Sequence, residues 1–144
     1  MGRIKIQLPE QFCFSCELPV RITDINYGGH AGNDTILTLV HEARMQYLAS
    51  LGYTEMNLAG AGLIMADAGI EFKKELFYGD RLIAYVSAGS FSKIGFSLYY
   101  KLEKINADGR AVVAIVKTGM ICYDYARKKI VAVPEEALRL MQAH

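Results

Sequence analysis

Two hydrophobic periodicities divide the chain. Between residues 12 and 22, and again from Ile64 onward, apolar side chains recur at every second position, which is typical of strands with one buried face. Between Asn33 and Leu51 they recur at every third or fourth position, which predicts an amphipathic helix. Asn33 suits the N-cap, Asp34 suits the positive end of the helix dipole, and Gly52 suits the position just past the helix end. The pattern therefore predicts one strand, one helix and then a run of strands.

Four strands are predicted after the helix, with turn signals at Tyr78-Gly79-Asp80 and Asn106-Ala107-Asp108-Gly109. Their apolar faces comprise Ile64, Ala66, Ala68, Ile70 and Phe72; Leu82, Ala84, Val86 and Ala88; Ile94, Phe96, Leu98, Tyr100 and Leu102; and Val112, Ala114, Val116, Met120 and Cys122. Long antiparallel strands twist and curl. The sequence thus predicts an α+β fold in which a long antiparallel sheet wraps around one central helix. Pro134 then opens a short C-terminal helix.

Apolar residues also occur on the opposite face of the predicted sheet, at Ile83, Tyr85, Val113 and Ile115. A single sheet packed on one helix would leave this face in water. We therefore expect a second copy of the chain to cover part of it, which favours a homodimer or a homotetramer.

Composition narrows the functional classes. The 144 residues fit one domain over residues 1–144, because no repeat, linker or low-complexity tract interrupts them. A formal net charge of +1 gives no electrostatic footprint for nucleic acid. No apolar run is long enough for a membrane span, and the start of the chain does not match a signal peptide. The three cysteines, an odd and low count, favour a reducing, cytoplasmic compartment.

Side chains that can act in catalysis or binding are concentrated in one segment, between the first strand and the helix. It holds Asp24, Asn26, Tyr27, Gly28, Gly29, His30, Asn33 and Asp34. Glycine amides can approach a ligand closely, and the unpaired N–H groups of a helix start can stabilise an oxyanion. The alternative interpretation is a polar crossover loop that ends in a helix cap.

This segment resembles the signature of hotdog-fold acyl-CoA thioesterases of the 4-hydroxybenzoyl-CoA thioesterase branch. Asp24 matches the first aspartate of that signature, His30 its histidine and Asn33 its last asparagine. Glu42-Ala43-Arg44 follows at the spacing typical of the branch, and Phe77-Tyr78-Gly79-Asp80 resembles the turn before the third strand. The resemblance implies a hotdog fold and hydrolysis of an acyl thioester, carried by coenzyme A or an acyl carrier protein. It implies no metal and no cofactor apart from coenzyme A as part of the substrate.

One departure from the signature concerns the chemistry itself. The family has its catalytic carboxylate where this chain has Asn26. An amide cannot act as a general base or a carboxylate nucleophile. We therefore expect Asp24 or His30 to activate water, with Asn26 in an orienting role, and Tyr27, Gly28, Gly29, Asn33 and Asp34 to bind the substrate.

Two other functions remain open. The first is a protein that binds acyl thioesters without cleaving them, because the usual catalytic carboxylate is missing. The second, less favoured, is an enoyl-CoA hydratase, because Asp24, Asn26 and His30 partly resemble the aspartate–histidine dyad of hotdog hydratases.

Three polar residues of the predicted helix carry weaker expectations. His41 lies beside the apolar stripe and is expected to be packed or on the surface, and Glu42 is expected to be solvated or ion-paired. Arg44 lies at the edge of the stripe, where it would extend to solvent or pair with a carboxylate of a partner subunit. The Cys13-Phe14-Ser15-Cys16 motif places its two thiols on opposite faces of a strand, which does not favour a redox or zinc pair.

Overall fold

The computed structural model describes residues 5–21 and 33–143, with only the backbone of Asn33. The elements are β1 (Phe14–Pro19), α1 (Asn33–Ser50), β2 (Gly62–Phe72), β3 (Arg81–Gly89), β4 (Gly95–Asn106), β5 (Gly109–Asp124), β6 (Lys129–Ile130) and α2 (Glu135–Ala143). The predicted elements and their order are confirmed within the described residues. No helix in this part of the chain is long and apolar enough to cross a membrane.

The helix α1 has the predicted boundaries and the predicted buried stripe. It ends at Ser50, and Gly52 has a φ of 86°, a left-handed conformation that costs glycine little. The buried residues on the stripe are Ile36, Leu39, Val40, Ala43, Tyr47 and Leu48. They join one continuous core with the sheet, so burial of this stripe, rather than intrinsic propensity, holds the helix in place.

The sheet is antiparallel, with the strand order β1-β3-β4-β5-β2 and with β6 paired to β5. One face packs on α1, which contacts β1 and β3. The core side chains from the central strands are Leu82, Ala84, Val86, Phe96, Leu98, Tyr100, Leu102, Ala114, Val116, Met120 and Cys122. β1 and β2 are the two terminal strands of this path, and the loop predicted to be catalytic begins just after β1.

Two irregularities shift the predicted faces. The β2–β5 register shifts between Met65 and Asp67, so before the shift Leu63 rather than the expected Ile64 enters the core. After the shift the expected face turns towards the core again, and Ile70 packs against it. A second shift on β4, between Leu102 and Glu103, places Val113 in the core rather than on the opposite face. Simple alternation fails at both sites because a bulge inserts one residue into one strand only.

The chain's own N-terminal segment covers part of the opposite face, which we had expected a second copy to cover. Tyr85, Lys101, Ile115 and Glu71 form one cross-strand row on that face. The Ile6 amide donates to Glu71 Oε2 at 2.7 Å, at one end of the row. At the other end the Phe12 ring lies 5.9 Å from the Tyr85 ring, and Lys101 Nζ lies over both rings. The segment therefore crosses the sheet from β2 to β3.

Candidate functional site

A cavity of 340 Å³ lies between the end of β1 and the helix α1, next to the start of the predicted catalytic loop. We refer to it as the β1–α1 cavity. Its described wall combines hydrogen-bonding and apolar side chains: Glu17, Arg21, Thr38, His41, Glu42 and Gln46, with Leu18, Pro19, Leu39 and Met45. Apart from the buried Leu39, the helical members come from the solvent side of α1, so the cavity is a groove along that helix rather than a void in the core.

The predicted catalytic residues lie outside the described residues. This applies to Asp24, Asn26, Tyr27, Gly28, Gly29 and His30, and to the side chain of Asn33. The described chain reaches the loop at Arg21, in the cavity wall, and resumes with the first residue of α1. Asp34 is exposed in the first turn of α1, where it was predicted, and its carbonyl accepts a hydrogen bond from Thr38 Oγ1 at 3.2 Å.

A network of hydrogen-bonded polar side chains inside the protein reaches one side of the cavity. Arg44 is only 6% exposed, and its Nε donates to Glu55 Oε1 at 3.1 Å. Its Nη1 donates to the hydroxyl of Tyr100 at 3.2 Å, and that hydroxyl lies 2.8 Å from Thr118 Oγ1. The prediction that Arg44 extends to solvent or pairs with a partner subunit is wrong, because a carboxylate and a phenol of its own chain satisfy it. Burial raises the pKa of Tyr100, so the phenol stays neutral and accepts from Arg44.

The carboxylate of Glu55 connects this network of polar side chains to His41. His41 Nε2 lies 2.9 Å from Glu55 Oε1, the atom that also receives Arg44, and 55% of the His41 side chain is exposed. His41 is thus a surface residue, as one of the two expectations had it, and it is held in a fixed orientation in the cavity wall.

Sequence reasoning missed Glu55 altogether. It lies in the connection between α1 and β2, outside any periodic segment, and nothing in its neighbours marks it as a partner of the helix. A buried arginine requires a nearby carboxylate or equivalent acceptors, but sequence does not reveal that Arg44 is buried. The pairing follows only from the fold.

Glu42 is a further residue of the cavity wall. Its Oε2 accepts a hydrogen bond from Gln46 Nε2 at 2.9 Å, one helical turn later. Burial, with a smaller contribution from the charge of Glu42, raises the pKa of the Cys16 thiol to about 11. A thiol with this pKa is not a nucleophile at neutral pH, so Cys16 supplies no covalent chemistry to the site. Within residues 5–21 and 33–143, no three histidine, cysteine or acidic side chains converge as metal ligands.

Known proteins match the chain in sequence. The profile of the thioesterase-like superfamily matches residues 20–141. A curated Aquifex aeolicus protein with an esterase-type name is 28% identical over 103 residues, which are 70% of this chain and 76% of that one.

Solved structures resemble the chain at the level of the fold. A 1,4-dihydroxy-2-naphthoyl-CoA thioesterase from Synechocystis superposes with a TM-score of 0.79 at 21% identity, over 90% of this chain and 95% of that one. A 4-hydroxybenzoyl-CoA thioesterase from Pseudomonas sp. strain CBS-3 gives 0.78 at 14% identity, over 88% and 97%. These likenesses confirm the predicted hotdog fold.

Proposed function

Because the chain belongs to the thioesterase-like superfamily, we propose that it hydrolyses an acyl thioester to a carboxylic acid and a free thiol. The observation that carries this proposal is the family match over residues 20–141, which spans the whole predicted catalytic loop and the helix after it. The acyl group would be carried by coenzyme A or an acyl carrier protein. Coenzyme A enters only as part of the substrate, and no further cofactor or metal takes part.

In the proposed reaction the loop and the helix start act together. Amides near Gly28, Gly29 and the first turn of α1 hold the thioester oxygen as negative charge develops on it. Asp24, with His30, takes a proton from a water molecule that Asn26 orients. The water oxygen bonds to the carbonyl carbon, the carbon–sulfur bond breaks, and the thiolate leaves and is protonated.

The remaining predicted residues have binding roles in this proposal. Tyr27, Asn33 and Asp34 would contact the substrate around the thioester. One described feature supports a site here: the β1–α1 cavity has Arg21, the last described residue before the loop, in its wall.

A second function is favoured by one specific residue. Asn26 stands where the family has its catalytic carboxylate, and an amide cannot deprotonate water. A chain with this substitution could retain the binding site and lose the reaction. It would then bind acyl thioesters without cleaving them.

The test is thiol release from short, long and aromatic acyl-CoAs and from acyl carrier protein thioesters. We expect turnover by the wild type and loss of kcat by about a hundredfold or more in Asp24→Asn, because a general base contributes about that much. The matched control is Asp108→Asn in the β4–β5 hairpin, which should keep full activity. Absence of turnover with every substrate, together with a rise in Tm on addition of an acyl-CoA, would establish the binding protein instead.

We also propose that the chain assembles as a homodimer or homotetramer. β2 is a terminal strand of the sheet and spans eleven residues. It exposes Ile64, Met65 and Phe72. Natural proteins rarely leave a long apolar edge strand without a cover or a charge, so pairing with a second copy is the arrangement that this edge favours.

A further inference from the structure

We propose that the outer face of the sheet is a docking surface for a second copy of this chain, and that residues 5–13 keep it closed. The outer face is the side of the sheet that faces away from α1, and we refer to residues 5–13 as the N-terminal cover. The intact chain then assembles through β2 alone, as a homodimer. This inference rests on the proposed homo-oligomer, since it decides between its two forms.

The middle of the outer face carries apolar side chains. Two neighbouring cross-strand rows form it: Tyr85, Lys101, Ile115 and Glu71, and then Ile83, Glu103 and Val112. The tyrosine, isoleucine and valine side chains of these rows are half-buried. An antiparallel sheet with one wet face normally has polar side chains on that face. The composition of these two rows therefore indicates a face that is covered.

The N-terminal cover has an apolar side and a polar side. Its half-buried residues are Ile6, Leu8, Pro9 and Phe12, and its exposed residues are Lys5, Gln7, Glu10, Gln11 and Cys13. The apolar side contacts the sheet at Phe12, whose ring lies 5.9 Å from the ring of Tyr85. With the cover in place, the chain presents polar side chains to water where the sheet alone would present an apolar patch.

The cover is attached to both ends of the row that it crosses, but it does not join the sheet as a strand. The Ile6 amide donates to Glu71 Oε2 at 2.7 Å, and the Cys13 thiol donates to the carbonyl of Val86 at 3.6 Å. A segment outside the hydrogen-bonded ladder opens at a lower free energy than the strands beneath it. The cover can therefore open while the sheet stays folded.

The charges on the outer face favour a second copy of this chain as the competing occupant. Glu103 Oε2 lies 3.6 Å from Lys101 Nζ, and Glu103 Oε1 lies 4.0 Å from Arg110 Nη1. Glu71 lies in the same row as Lys101. A two-fold contact joins the same patch of both copies, so the patch must be complementary to itself. Interspersed charges of both signs meet this requirement, whereas a strongly acidic or basic partner would meet like charges.

The cover has an advantage over a second copy because it belongs to the same chain. A segment that is joined by a short link acts at an effective concentration on the order of millimolar. Here β1 begins at Phe14, directly after the cover, so the link is as short as it can be. A free second copy reaches such a concentration only in very concentrated solution. The cover therefore occupies the face in the intact chain, and weakening its contacts shifts the equilibrium towards the second copy.

The experiment compares the assembly mass of three full-length proteins by sedimentation equilibrium over a range of concentrations. Beside the wild type, a released variant carries serine at three half-buried positions of the cover, as Ile6→Ser, Leu8→Ser and Phe12→Ser. The matched control carries serine at three exposed positions of the same segment, as Gln7→Ser, Glu10→Ser and Gln11→Ser. Hydrogen exchange of residues 5–13 verifies that the cover is released, and circular dichroism verifies that each protein is folded.

We expect the wild type and the matched control to be dimers, and the released variant to rise to about twice their mass with concentration, because a second closed interface doubles a dimer. Adding Ile115→Lys to the released variant places a charge in the middle of the outer face and should return the mass to that of a dimer. Adding Ile64→Lys instead, on the β2 edge, should also give a dimer, now joined through the outer face. Both lysines together should give a monomer.

Three results would overturn the inference. A wild type that is already a tetramer would show that the cover does not close the outer face. A released variant with the mass of the wild type would show that this face does not bind a second copy, and an increase that persists with Ile115→Lys would place the contact elsewhere.

None of these masses depends on turnover, so the proposed hydrolysis can fail without affecting the result. A wild-type monomer would refute the proposed pairing through β2. The outer face would then stand as a docking surface only if the released variant dimerises and Ile115→Lys returns it to a monomer.

Discussion

Nη1 of Arg44 lies 3.2 Å from the hydroxyl oxygen of Tyr100, in a core that otherwise consists almost entirely of apolar side chains. The Tyr100 hydroxyl also contacts the hydroxyl of Thr118, which is fully buried. On the other side of the guanidinium, the carboxylate of Glu55 supplies the counter-charge to Arg44. A buried cation is stable only with a counter-charge and with acceptors for its N–H groups. This chain of contacts therefore fixes α1 against β4 and β5, and it fixes the position of His41 at the cavity.

The first prediction concerns the phenol of Tyr100 in this network of contacts. Tyr100→Phe leaves Arg44 Nη1 and the Thr118 hydroxyl without their partner, so the free energy of unfolding should fall by about 2 kcal/mol. Urea denaturation followed by circular dichroism measures it. Tyr99→Phe, at the next position of β4, removes an exposed hydrogen bond to Ser90 and should cost less than about 0.5 kcal/mol. Equal losses in the two variants would mean that the buried contact contributes nothing specific.

The second prediction concerns thiol reactivity. Burial, with a smaller contribution from Glu42, raises the pKa of Cys16 to about 11, and burial raises that of Cys122 to about 11; Cys13 is exposed. Because the thiolate is the reactive form, a disulfide reagent at about pH 8 should rapidly modify one thiol per chain. All three should react after denaturation. Cys13→Ser should abolish the rapid phase; its persistence would show that Cys16 or Cys122 is accessible and ionised.

The third prediction concerns alkaline stability. The Tyr53 hydroxyl donates to Glu136 Oε2 at 2.6 Å and thereby joins the α1–β2 connection to α2. This hydrogen bond, assisted by burial, raises the pKa of Tyr53 to about 12. The unfolded tyrosine ionises near its ordinary value of about 10. Above that pH the unfolded chain releases a proton that the native chain retains, so this contribution to stability is complete below pH ~10 and is lost as the pH rises towards 12.

Tyr53→Phe should therefore be less stable than the wild type near neutral pH, and the difference should shrink above pH ~10. Urea denaturation of both proteins at a series of pH values measures this difference. If the difference in the free energy of unfolding between the two proteins stays constant from neutral to strongly alkaline pH, ionisation of Tyr53 is not linked to folding.

The fourth prediction concerns the edge of β2. Ile64→Lys places a charge on the exposed edge strand, and edge lysines oppose strand pairing between chains. Sedimentation velocity should show a smaller assembly than for the wild type. Met56→Lys, a change at a residue that is 68% exposed outside the strands, should leave the assembly unchanged. A wild type that sediments as a monomer at all concentrations would refute the proposed homo-oligomer.

Much of the fold could be predicted because the spacing of apolar residues along the chain determines which side of each helix or strand is buried. The stripe on α1 and the alternation in β3 and β4 reflect burial on one side, and Gly52 marks the helix end. The failures occurred where one inserted residue changed the face, as at Met65 and Asp67. Alternation records which residues are apolar, but it does not record where a bulge interrupts the count.

The site was less predictable, since its parts come from distant positions. The loop from Asp24 to Asp34 was conspicuous because its residues are contiguous. The contacts among Arg44, Glu55 and Tyr100 join a helix, a connection and a strand, and no sequence spacing encodes them. The N-terminal segment that reaches Glu71 was missed for the same reason, because a segment without periodicity gives no indication of where it packs.

The final prediction addresses the departure from the family signature directly. Asn26→Asp restores the carboxylate at the family's catalytic position without a change in side-chain size. If the loop acts as proposed and Asn26 only orients water, the variant gains a general base and kcat should rise by about tenfold to a hundredfold, with a smaller change in KM.

Thiol release with the best acyl-CoA of the panel measures this effect, and Asn106→Asp in the β4–β5 hairpin is the matched control. An increase in Asn26→Asp that also removes the dependence on Asp24 would show that the two carboxylates act interchangeably on the same water. A decrease, with Asp24 still required, would show that the amide of Asn26 donates a hydrogen bond in the reaction. Asp24 would then be the general base, and the role of Asn26 would require an amide rather than a carboxylate.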